Sequence, residues 1–256
     1  PDSNAPSVIS VLANTSAGIY KAGDTIQIAV TFTEVVNVAG TPTLLLETGS
    51  QDRAAVYVSG TGTATLVFEY TVQSGDTSSD LKYKNITALS LNGGAILDNA
   101  HTPADRSLPV SGDDVPTSLE GDVDGDIVID GVAPQFTVGT ITAGTKSLVL
   151  NFDQSITGIP LIGDFVVNNT TLNSTNSVTA VSNGTNGTSL ELTLADYVRN
   201  NEILTVSYTA NAGATVTDTV GNPVLDDASI SITTIPDSNA PSVISVLANT
   251  SAGNYK

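Results

Sequence analysis

The residues best suited to chemistry in this sequence are acidic, and they are unevenly spread. From Ser107 to Thr145 there is no Lys or Arg, yet Asp113, Asp114, Glu120, Asp122, Asp124, Asp126 and Asp130 all fall there. Two carboxylates about 4 Å apart repel by about 4 kcal/mol at an effective dielectric of 20, and a divalent cation between them reverses the sign. Calcium suits such a set because it takes about 6 to 8 oxygen ligands in irregular geometry. One histidine and no cysteine leave little for zinc or copper. Asp122, Asp124, Asp126 and Asp130 match positions 1, 3, 5 and 9 of a helix-loop-helix calcium loop. Gly125 is misplaced for that loop, however, Ala133 stands where its closing Glu belongs, and Ile127 to Ile129 reads as strand. The other reading of this stretch is a solvated acidic loop.

Other chemistries lack their residues. His101 is the only histidine, and no G-x-S-x-G elbow accompanies it, so a serine triad has no frame. Neither a phosphate-binding G-x-x-x-x-G-K-[ST] nor a dinucleotide G-x-G-x-x-G is present. Paired acids could serve glycoside hydrolysis, but they lie in turns and the chain has no Trp to hold a sugar. The chain therefore does not read as an enzyme. A net charge of −18 repels nucleic acid and anionic membrane surfaces. No apolar run approaches the roughly 18 residues needed to cross a bilayer, so membrane insertion of this segment is not expected. With 40% hydrophobic and 13% charged residues, the composition argues against charge-driven disorder.

The acidic turns must hang from strands. Ile26, Ile28, Val30 and Phe32 alternate with Thr25, Gln27, Ala29 and Thr31, and Leu66, Phe68, Tyr70 and Val72 repeat the pattern. Leu148, Leu150 and Phe152 form a similar set, as do Leu190, Leu192 and Leu194, and Leu204, Val206 and Tyr208. No segment keeps a helical period over three turns. Seven strands are expected near 7–13, 25–33, 42–48, 53–58, 63–72, 84–91 and 126–130, and seven more near 135–142, 146–152, 164–168, 177–182, 188–194, 202–209 and 228–234. The expected fold is all-β: two tandem seven-stranded immunoglobulin-like β-sandwiches in an elongated array.

The chain also repeats itself. Pro1 to Lys21 and Pro236 to Lys256 differ only at Ile19 and Asn254, an offset of 235 residues. Near-identity at that distance implies tandem units in the parent protein. Asp-x-x-Ala-Pro recurs at Asp2, Asp130 and Asp237, and its proline suits an extended link. The expected domains are 1–130, with an acidic insertion at about 105–126, then 131–236, with 237–256 as the first strand of the next repeat. That last stretch could be borrowed by a neighbouring chain, which gives head-to-tail self-association through 236–256.

Ala22 to Val36, Thr41 to Gly49, Phe68 to Leu81 and Leu91 to Ala100 resemble the bacterial immunoglobulin-like, cadherin-like tandem repeats of large calcium-binding surface adhesins. Leu148 to Ile156, Leu204 to Ala210 and Val216 to Val224 are similar to repeats of cyanobacterial motility-associated surface proteins. The sequence departs from the family at Asn99 to Pro103, where an Ala-Gly-Asn turn is usual, and at Asn200 to Glu202. The resemblance implies an extracellular, calcium-stiffened spacer or filament segment whose partners are neighbouring repeats. The alternative is a carbohydrate- or surface-binding adhesion module with a glycan or surface ligand. Alternating strand directions in a seven-strand sandwich would hang Asp24, Asp76 and Asp80 from the bottom of the first domain. Asp153 and Asp218 would crown the second, with Asp130 in the link, an arrangement that resembles cadherin linker calcium sites. Asp2, Glu34 and Asp98 would serve the junction with the preceding unit, and Asp237 the following one. Ordinary turn aspartates are the competing reading of all of these.

Overall fold

The computed structural model describes residues 4–111, 115–116, 119, 126–210 and 216–238. The described residues are all-β apart from one three-residue 3-10 turn, Ile162–Asp164. Contacts divide the chain into two compact units. One comprises residues up to Gln135 together with Gln154–Thr157 and Val216–Leu225; the other comprises Phe136–Asp153, Gly158–Thr215 and the residues from Asp226 onward.

In the first unit the main strands are β1 (Val8–Ala13), β2 (Gly18–Lys21), β3 (Thr25–Ala39), β4 (Thr43–Glu47), β5 (Arg53–Ser59) and β6 (Thr63–Thr71). Five of them pair in the order β1-β3-β6-β5-β4, all antiparallel. The alternation in the sequence sets their faces. Ile26, Ile28, Val30 and Phe32 are buried against Leu66, Phe68, Tyr70 and Val72, and Leu44 and Leu46 complete the same core. Each such side chain contributes about 1.5–3 kcal/mol relative to exposure.

Strand β3 does two jobs. Its first half pairs with β6 up to Thr31, the register then slips before Val36, and Asn37 to Ala39 pair instead with the strand Ala95–Leu97. A slipped register bends a strand and re-aims its side chains, and here Glu34 lies in the slip. Because Leu97 pairs with Asn37, the next residue, Asp98, emerges beside that bend. At the other end of the unit, β2 pairs in parallel with Ile127–Asp130, which also pairs with Thr77–Ser78.

Six of the seven strands expected in the first stretch form where the alternation placed them. The seventh, near 84–91, is instead two short pieces, Lys82–Tyr83 and Leu89–Ser90. Asn85 breaks it: its side-chain oxygen accepts from the Thr87 N–H at 2.9 Å and its carbonyl from the Ala88 N–H at 3.0 Å, a turn that competes with the ladder.

In the second unit, strands form at Gly139–Thr142, Ser147–Asn151, Phe165–Asn169, Val178–Asn183, Ser189–Leu194, Leu204–Tyr208 and Asp227–Ile235, matching all seven expected positions. Asp227–Ile235 is antiparallel to Leu204–Tyr208 and parallel to Gly139–Thr142. Leu148, Leu150, Leu190, Leu192, Leu204 and Val206 fill the interior. Phe136 packs on Phe152, with ring centroids 4.4 Å apart, and edge-on to Tyr208 at 5.3 Å.

Candidate functional site

Three of the expected cation ligands are buried, and each has a different environment. Asp76 is 1% exposed and works as an internal hub. Its Oδ1 accepts from Arg53 Nε at 2.9 Å, and its Oδ2 accepts from the Tyr70 hydroxyl at 2.7 Å and the Gln73 N–H at 3.0 Å. Burial, reinforced by the hydrogen bond to Asp76, pushes the Tyr70 phenol well above the usual range. A cation at Asp76 would have to displace these donors.

Asp218 lies in a loop that belongs by its contacts to the first unit. Its Oδ1 accepts from the N–H groups of Val220 (3.0 Å), Gly221 (2.7 Å) and Asn222 (2.8 Å), and its Oδ2 accepts from Asn222 Nδ2 at 2.8 Å. Both carboxylate oxygens are thus used within the loop. Asn222 in turn accepts from the Ala22 N–H at 3.0 Å and donates to the Asp130 carbonyl at 2.8 Å. Ala22 follows β2 and Asp130 ends its parallel partner, so one buried amide ties the loop to the end of that pair.

Asp98, 3% exposed, differs again. Its Oδ1 accepts from the Thr102 N–H at 2.6 Å, while its Oδ2 is buried and has no hydrogen-bond partner among the described residues. Asp98, Glu34 and Asn99 line one open cavity of about 450 Å³.

The remaining expected ligands are more exposed. Asp24 caps its own turn through the Lys21 N–H at 2.9 Å, and Asp80 pairs with Lys82 at 2.8 Å. Asp130 is half-buried and its carboxylate accepts from the Val132 N–H at 3.2 Å. Asp126, Asp153 and Asp237 are exposed. Asp2, Asp122 and Asp124 lie outside the described residues, as does most of the acidic stretch between Ser111 and Asp126. Among the described residues, no group of three or more His, Asp or Glu side chains could hold a metal ion by itself. Arg53, Tyr70, Thr102 and Asn222 were not among the expected site residues. One signal for the last two was in the sequence, since Asp98 and Asp218 each stand four residues before a Thr or Asn that is followed by Pro.

Comparison with known families adds one match. Residues 129–213 match the SWM repeat, described as a flagellar system-associated repeat. The match lies in the stretch whose strands resemble motility-associated surface repeats, and it fits a surface repeat protein with a structural role. No curated protein matches the chain. The crystal structure of the N-terminal part of the bacterial S-layer protein SbsC is similar over 40% of this chain and 23% of its own, at 16% identity and a TM-score of 0.33. Among the described residues, no helix is long and apolar enough to cross a membrane.

Proposed function

We propose that this chain is an extracellular structural repeat of a large surface or filament protein, a spacer built from immunoglobulin-like modules and stiffened by calcium. The observation that carries the reading is the recurrence of Pro1–Lys21 at Pro236–Lys256 with one difference, because near-identical repetition serves length. The flagellar system-associated repeat at 129–213 supports the surface location. Calcium enters through charge: 26 acidic residues face 8 basic ones, and a divalent ion offsets the repulsion between them. Small-angle scattering on one, two and three tandem copies of the unit tests the spacer. The maximal dimension should grow in proportion to copy number, and a dimension that stays constant refutes it. Thermal melting in calcium and in chelator tests the stiffening ion separately.

A further inference from the structure

The loops that follow Leu97 and Thr217 are built alike. In each, the Asp N–H bonds the carbonyl four residues on at 3.0 Å, and the Asp Oδ1 accepts the N–H of that same residue, Thr102 or Asn222. Each loop closes through a bridge to the following proline, Leu97 with Pro103 and Thr217 with Pro223. The residue before the closing one has positive φ in both, 67° at His101 and 98° at Gly221. Both aspartates are 3% exposed.

The loops part at a single side chain. Asn222 reaches back with its amide to satisfy Asp218 Oδ2 at 2.8 Å. Its counterpart is Thr102, whose hydroxyl makes no such bond, and Asp98 Oδ2 stays buried without a hydrogen-bond partner among the described residues. A buried polar oxygen without a partner is costly, so the site has room for something positive. The surroundings say what kind. Glu34, placed there by the register slip in β3, and the side chain of Asn99 share the cavity, and among the described residues no Lys or Arg lines it. Two carboxylates and the Asn99 amide oxygen, which also accepts from Asn37 Nδ2 at 2.8 Å, make an all-oxygen donor set, which suits a hard cation and not zinc or copper.

We propose that Asp98, Glu34 and Asn99 form a calcium site, with Asp98 Oδ2 as its buried anchor and water completing the shell. This rests on the calcium reading above and gives it an address. Two carboxylates place the affinity in the weak extracellular class, at about 10⁻⁴ to 10⁻³ M. The loop after Thr217 needs no ion, since Asn222 Nδ2 already satisfies the second carboxylate oxygen there.

The test is an NMR titration of the full chain with calcium chloride, following the backbone amides of Asn99 and Thr102, with melting recorded in parallel. Saturable shifts of those two amides in the millimolar range are expected, with a melting temperature about 4–8 °C higher at saturation. Glu34→Gln should lose the shifts while keeping the fold. Thr102→Asn should lose them too, because the new amide fills the place of the ion, and in chelator this variant should melt at or above the parent temperature. Amides at 99 and 102 that do not move, or that move equally in both variants, overturn the site. If melting still responds to calcium in that case, the ion binds elsewhere and the wider calcium reading stands; if melting does not respond, both fall.

Discussion

Replacing Asp76 by Asn removes one negative charge from the interior and changes little else in shape. In the native unit this carboxylate collects three donors: Arg53 Nε, the Tyr70 hydroxyl and the Gln73 N–H. The side chains of Arg53 and Asp76 are only 20% and 2% exposed, so the pair is poorly screened. Breaking a buried pair from one side costs about 3–5 kcal/mol. The amide keeps one acceptor oxygen and Arg53 retains some contact with water, so the lower end, about 3 kcal/mol, is expected. For a unit of this size each kcal/mol moves the melting temperature by about 2–4 °C, which predicts a fall of about 10 °C by calorimetry and a matching loss in urea unfolding. A cycle with Arg53→Met and the double variant should show coupling of at least about 1 kcal/mol. Because every donor at Asp76 comes from the protein, Asp76→Asn should also leave any calcium response intact. A stability loss below about 1 kcal/mol, or loss of the calcium response, would refute the account of Asp76 as a structural hub.

Two further outcomes follow from the geometry. Asn222→Ala removes three buried hydrogen bonds that involve Asp218, Asp130 and Ala22; a loss of about 3 kcal/mol with faster amide exchange at Ala22 is expected, and unchanged exchange there counts against the clamp. Tyr70 and Tyr208 are both held protonated, chiefly by burial, with pKa values raised in the folded state. Their contribution is complete below the unfolded phenol value near 10 and is lost as pH rises above it, by about 1.4 kcal/mol per pH unit for each group. Ultraviolet tyrosinate absorbance should therefore show two of the tyrosines ionising only with unfolding, and Tyr70→Phe should remove one of the two from that step.

Strand positions were legible in the sequence because alternation is local. Ile26, Ile28, Val30 and Phe32 can share one face only if the backbone is extended, and the core of the first unit is built from that face. The Asn85 turn and the parallel pairing of Gly18–Lys21 with Ile127–Asp130 were not legible as strand signals. The first is a side chain competing with a ladder, and the second joins segments more than a hundred residues apart.

The aspartates show the division most sharply. Residue type and spacing determined that they would sit in turns at strand ends, since Asp favours turns and tolerates their dihedrals. What each carboxylate does was decided by neighbours distant in the chain or by one side chain in its own loop. Arg53 and Tyr70 converge on Asp76, Asn222 satisfies Asp218, and Thr102 leaves Asp98 with an oxygen unmet. Hydrogen bonds act over about 3 Å, and only the folded chain brings donors within that distance of a given oxygen.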